Sequence, residues 1–528
     1  MIPSTASRRH ARLVWRSLAG LTVFALLSGA PLVYAGRPAT ATPKPSYGGT
    51  IAVRDYPPYE NCIDVARYTA GNEFTHEVLD TLVVGDTRGH IYPDLATKWS
   101  TSHGGTWITF TLRRGVRFSN GDAFNASAVK YSFDRVLDPK FPQATAGLLG
   151  PIQTVQVVNP FTVRLIFKAP FRPILNKLTG TWIGIVDPKA TAKRDPCTMV
   201  VGTGPYKIQS VGPALSSFTL VRNPYHTWEP PIPGNTGRAY IDKIVYKPIA
   251  NDATAVSALL SHEVNVTNVA GDQLSRVQGN SNYVIHKTID PTVTYFQFNL
   301  AHAPFTSLQV RRAFIEAVDR TAVVKVAVNG QGVPAYGPVP QHVAYYDRKA
   351  PTYLPKYNPA DAQRIFTANH VTGPYTLLVP TLGSWPAIAE LMQAELGQVG
   401  VRINIVTKDI GSYFSDATKG NFDLTIYGYT ATDPDMVSYA FLSGQPYNIS
   451  FFKSKTLDGC ILRGRDTFNA KVASAAYSCV QKYLDQNAIF DPLFQPYDLW
   501  ATDKSIGGYR MFTAGYQYPY FRDLYISR

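Results

Sequence analysis

At 528 residues the chain is too long to close around one hydrophobic core, so two or three lobes are expected. Its make-up, 45% hydrophobic, 17% charged and 12% aromatic with 32 tyrosines, excludes fibrous, low-complexity and disordered classes. The formal charge of +14 is spread along the chain without a basic helix or basic–aromatic array, which argues against a nucleic-acid partner.

The first 35 residues read as an export signal. Arg8, Arg9, Arg12 and Arg16 form a positive stretch without an acid, Leu18 to Leu27 is apolar, and Val33-Tyr34-Ala35 fits a small-residue cleavage site. The apolar run is shorter than the roughly 20 residues of a membrane span, and Pro31 follows it. Losing four arginines and no acid takes the charge from +14 to +10. The Arg8-Arg9 doublet leaves general and twin-arginine export both open. No cysteine precedes Cys62, so no lipid anchor is expected by that route, and the mature protein is read as extracytoplasmic. Residues 36–47, GRPATATPKPSY, read as a disordered linker.

Gly48 to Val53 opens the fold as a strand. Cys62, Cys197, Cys460 and Cys479 permit two disulfides in three connectivities; Cys460 and Cys479 lie in consecutive helical patterns and can face each other, which would leave Cys62 with Cys197. The cysteine spacings match no zinc pattern and the ten histidines are scattered, so no metal or cofactor is expected.

Apolar and polar residues alternate from Thr106 to Leu112, the period of a half-buried strand, and Val116 to Phe118 resumes it after Arg113-Arg114-Gly115. Trp107, Phe110 and Phe118 are the expected core of this region. Asn120-Gly121-Asp122 marks a turn, and Ala126 to Leu137 has helical spacing with Asn125 or Ser127 as cap. Val155 to Phe167 reads as two strands around Asn159-Pro160. Residues 201–207, VGTGPYK, lack the spacing of a phosphate loop; the glycines supply backbone freedom or close approach. Strands follow at Phe218 to Arg222 and within Tyr240 to Ile249, then a helix over Ala253 to Leu260.

Tyr295 to Asn299 is a strand, Pro304-Phe305 a turn and Val310 to Arg320 a helix, with Asp319-Arg320 as a local ion pair. The strand Tyr375 to Val379, helix Pro386 to Val399 and strand Val401 to Val406 form a βαβ unit, implying a sheet covered by helices. Phe422 to Tyr429 and Pro492 to Thr502 are further strands.

Three of these segments together carry a resemblance. The order LA-x-x-W, LR-x-GV-x-F-x-x-G and helix within 93–137, the GTGPY element at 202–206, and the run through Asn299, Pro304, Phe305, Val310, Arg311, Ala313, Ala317, Asp319 and Arg320 resemble the family 5 extracellular solute-binding proteins, receptors of ABC importers. The resemblance, covering roughly residues 48–528, implies an α/β, bilobal periplasmic-binding-protein-like fold of type II. Its two lobes are joined by crossing strands near Asp290–Tyr295 and Gln495–Leu499. The implied division is lobe 1 over 48–292 with a subdomain at about 68–199, lobe 2 over 293–496, and a return of 497–528 into lobe 1.

It also implies a ligand between the lobes, permease subunits as partners, a monomer and no catalytic residues. Three regions are expected at the cleft: Thr203 and Gly204; Ser384 and Trp385; and Tyr429 to Asp435, the place of the family's Trp-x-Ala-Asp-Tyr-Pro-Asp-Pro run. In peptide-binding members the first Asp of that run pairs with the ligand's α-ammonium. Here Thr432 stands at that position, Tyr429 replaces the Trp, and Asp433 lies one residue later. Oligopeptide is the default ligand, with nickel chelates, haem, sugars and opine-like compounds open. An exported hydrolase is the competing class, but the chain has no Gly-x-Ser-x-Gly or His-Glu-x-x-His. A ligand sensor of the same fold is the third reading.

Overall fold

Alternation builds the first sheet. In Trp107–Leu112 every second residue is buried, and the strand sits between Ala96–Thr101 and Thr162–Phe167, with Ile152–Asn159 at the edge. Helix Ala126–Val136, capped by the Asn125 side chain on the Ser127 and Ala128 amides, packs Val129, Phe133 and Val136 onto that sheet. The computed structural model describes residues 45–55, 62–66, 74–86, 89–140, 146, 147, 149–232, 234–513 and 517–527. The export signal and the linker up to residue 44 lie outside the described residues.

Four local expectations are corrected. Trp107 is half-buried on the face opposite Phe110, under the Arg164 guanidinium at 4.6 Å. Val116 to Phe118 forms no full strand: Gly115 turns at φ 78°, and a single bridge, Arg117 to Ala123, closes a tight loop around Gly121. Residues 45–47, read as linker, are docked, with Ser46 Oγ donating to Ile526 O at 2.7 Å and the Tyr47 ring 5.0 Å from Tyr240. The helix expected to reach Arg320 stops at Glu316, and the Asp319 side chain caps a new turn by accepting from the Thr321 amide. Asp319 and Arg320 therefore do not pair. Arg320 is buried and binds Asp491 and the Pro492 carbonyl.

A twelve-stranded sheet runs through both lobes. Its order is Ile403–Lys408, Tyr375–Pro380, Leu424–Thr430, Thr292–Phe298, Phe490–Asp503, Val266–Asn268, Thr50–Asp55, Lys243–Pro248, Phe218–Arg222 and Tyr206–Val211. Two further strands, Tyr283–Ile289 and Gly332–Pro334, also pair with Phe490–Asp503. That long strand serves both lobes in turn. Phe490 to Phe494 pairs with Thr294 to Gln297, whereas Tyr497 to Asp503 pairs with Tyr283 to Ile289. The chain crosses a second time between Ile289 and Thr292, where the Asp290 amide donates to Pro496 O at 3.0 Å. Two α/β lobes are thus joined by two adjacent backbone crossings.

Each lobe has its own core. Phe296, Phe298, Phe305, Phe314 and Phe366 pack with the helix Trp385–Gln398 in one, and Phe74, Tyr206, Phe218, Tyr246 and Phe521 in the other. Two disulfides are formed, Cys62–Cys197 and Cys460–Cys479; the second joins consecutive helices Lys455–Arg465 and Ala470–Gln486.

Candidate functional site

Tyr375–Pro380 and Leu424–Thr430 run parallel, so their carboxyl ends open on the same side, where open α/β sheets meet ligands. A cavity of about 500 Å³ lies there. Leu382 and Trp385 follow the first strand, and Tyr427 to Thr430 end the second. Thr292 and Tyr295 come from the crossing strand, with the Thr292 and Thr430 hydroxyls 2.8 Å apart. Phe414, Met436, Tyr439, Ala440, Tyr447 and Ile449 continue the wall, and Asn176, Lys177 and Trp182 face it from the other lobe.

The wall is largely aromatic. Trp385 lies 5.6 Å from the Tyr427 ring, Tyr427 stacks on Tyr413 at 5.8 Å, and Tyr439 stacks on Tyr447 at 4.4 Å. Gly428 makes room for this: a Cβ there would meet Trp385 Cζ2 at 3.2 Å and Thr294 Oγ1 at 3.3 Å. Such rings give large, stiff contact area with little rotamer entropy to lose.

The floor between the lobes is polar and bonded across the gap. Arg172 forks onto Asp433 with contacts of 3.0 and 2.9 Å, donates to Tyr477 Oη at 3.2 Å, and its backbone amide reaches Arg465 O at 2.9 Å. Asn176 and Thr432 exchange two bonds, Nδ2 to Thr432 O at 3.2 Å and Thr432 Oγ1 to Oδ1 at 3.0 Å. Burial pushes the Asp433 carboxyl up, but the Arg172 charge and hydrogen bonds outweigh it and hold it below its ordinary value. Asp435, with Arg465 at 3.7 Å, is pushed up by burial to about 6. Burial also lowers Lys177, whose Nζ lies 3.4 Å from Met436 Sδ.

Of the residues expected at the cleft, the structure brings Trp385, Tyr429 and Thr432 to the cavity. Tyr429 turns its hydroxyl away, onto Pro338 O. Asp433 sits behind the wall, occupied by Arg172, rather than facing the space. Thr203 and Gly204 are buried elsewhere: Thr203 Oγ1 donates to Asp80 at 2.7 Å, and a Cβ on Gly204 would strike Glu77 O at 2.7 Å. The GTGPY element thus packs its backbone on the segment 75–78. Sequence reasoning missed Arg172, Asn176 and Lys177. Their one signal is a polar triplet in an otherwise apolar stretch, PFRPILNKL, which reads equally well as an ordinary exposed helix face.

Two α/β lobes, two crossings and a cavity at the strand ends define a bilobal binding protein. Residues 90–450 match the sequence profile of the bacterial extracellular solute-binding proteins, family 5, and the chain belongs to that family. It is accordingly an extracytoplasmic solute receptor of the ABC-importer class. Over 434 residues it is 26% identical to the glutathione-binding protein GsiB of Escherichia coli (strain K12), spanning 79% of this chain and 82% of that one. The periplasmic binding protein DppA of Helicobacter pylori, solved with the peptide STSA, superposes with a TM-score of 0.75 at 23% identity, over 92% of this chain and 99% of that one. CtaP, a substrate-binding protein of Listeria monocytogenes, gives 0.80 at 20% identity, over 92% and 100%.

Proposed function

We propose that the protein captures a small peptide or similar polar solute in the inter-lobe cavity and delivers it to membrane permease subunits, acting as a monomer without catalysing a reaction. The observation that carries this is the aromatic cavity of about 500 Å³ walled by both lobes, within the range of small-molecule sites. The peptide in the DppA complex and the name of the GsiB relative support a peptide ligand. Residues 1–35 act as a cleaved export signal, and the lobes divide at 48–292 and 293–496, with 497–528 returning to the first. Trp385, Tyr429 and Thr432 contact the ligand, with Asp433 holding the lobes together behind it.

Thermal-shift measurement against dipeptides to pentapeptides and a sugar panel tests the reading. A ligand at 100 times its dissociation constant stabilises the folded state by about 2.7 kcal/mol. Peptides raising the transition, and sugars leaving it in place, is the expected result. The reverse pattern refutes it.

A further inference from the structure

The charges around the cavity do not cancel. Lys177 ends the short helix Ile174–Lys177 and is only 7% exposed. Its ammonium carries three N–H donors, yet the partner it reaches is the Met436 thioether at 3.4 Å, a weak acceptor. The two carboxylates that act on it are committed elsewhere. Asp433 is forked by Arg172, and Asp435 accepts from Ser438 Oγ at 3.1 Å and faces Arg465. Two carboxylates and two guanidiniums balance, which leaves Lys177 as the surplus positive charge, on the cavity wall. Among the described lining residues no carboxylate offers itself to a ligand ammonium, and Thr432 is already bonded to Asn176.

A buried charge without a counter-charge is costly, so its persistence points to a partner that arrives from outside. We propose that Lys177 is the anchor for a carboxylate of the ligand, and that this receptor selects small solutes by their anionic end rather than by an ammonium. The inference rests on the peptide reading above and deepens it. A carboxylate entering between Lys177 and the rings of Trp182 and Trp385 would gain a charge-assisted contact in a water-poor site while its apolar body lies on aromatic faces. That carboxylate is a C-terminus or an acidic side chain.

Tryptophan-fluorescence titration and thermal shift of the mature protein decide the matter. The probes are dipeptides as free acids, as C-terminal amides, as N-acetyl derivatives, and with Glu against Gln side chains. Free acids and N-acetyl acids are expected to bind alike, with neutral amides weaker by about 10- to 100-fold. A Glu side chain that restores binding of a C-terminal amide locates the carboxylate there. Lys177→Met should abolish the acid-over-amide preference, while Lys177→Arg retains it. The ligand-free Lys177→Met protein should also melt about 2 °C or more higher, because an uncompensated buried charge is gone; a purely structural lysine would move it the other way. Equal affinity for acids and amides, a preference that survives Lys177→Met, or a lower ligand-free transition overturns the assignment while leaving the peptide reading standing. A panel in which no peptide of any form binds overturns that reading and this assignment with it.

Discussion

Replacing Arg172 with Met should open the two lobes. The Arg172 and Asp433 side chains are 14% and 8% exposed, so solvent screens their forked contact little. Removing one member of such a buried pair costs about 3–5 kcal/mol, because the remaining charge is left without a partner. The hydrogen bond to Tyr477 adds about 1 kcal/mol. The molecule has an escape, however: separating the lobes returns Asp433 to water without unfolding either core. Even the low end of the pair alone, about 3 kcal/mol, shifts the closed-to-open ratio by roughly 150-fold. Small-angle scattering should show a larger radius of gyration for Arg172→Met, with only a modest fall in the melting transition. Asp433→Asn leaves a neutral amide behind, and Arg172→Met combined with Asp433→Asn should be less damaging than the sum of the two single changes. Additive effects, or scattering identical to the parent, would refute the idea that this pair holds the lobes together.

Gly204→Ala tests the scaffold role of the GTGPY element. Its new Cβ would meet the Glu77 and Val78 backbone at 2.7 Å, so the free energy of unfolding in urea should fall by about 1–3 kcal/mol while ligand affinity per folded molecule is unchanged. Stability should also decline on the alkaline side. Burial raises Glu77 to about 8 and Asp55 and Asp498 to about 7, so the folded state keeps protons that the unfolded chain has released. Their contribution is complete below the unfolded carboxylate values and is lost as pH rises through 7 to 8. His76, lowered to about 3, and His286, lowered to about 4, act in the opposite sense only below their ordinary value of 6.5. Urea unfolding at pH 6.5 and pH 8 should therefore differ by about 2 kcal/mol from Glu77 alone, and Glu77→Gln should flatten that difference. Removal of Cys62–Cys197, which closes a separation of 135 residues, should cost about 5 kcal/mol by chain entropy, against about 3 for Cys460–Cys479 with a separation of 19. Equal losses in calorimetry or urea unfolding would contradict that ordering.

Most elements were legible because local chemistry dictates them. The alternation in Trp107–Leu112 and the Asn125 cap gave a strand and a helix within a residue or two of where they stand. The errors share a cause. Trp107 has the hydrophobicity of a core residue but lies on the strand face that the helix does not cover. Asp319 and Arg320 are neighbours in sequence, yet the guanidinium finds Asp491, more than 170 residues away, because both are buried together. Thr203 and Gly204 sit in a strong motif whose constraint turns out to be backbone packing.

By itself the sequence determined the family and the βαβ elements of the lobes, since ordered motifs and apolar periodicity are properties of contiguous residues. It also marked Thr432 as a departure from the acidic run. Only the tertiary structure decided what that departure means. Asp433 is consumed by Arg172, Thr432 by Asn176, and the one charged side chain among the described lining residues is Lys177, from the opposite lobe. The charge balance of a cavity is a sum over segments some 260 residues apart, and it exists only once the lobes have been brought face to face.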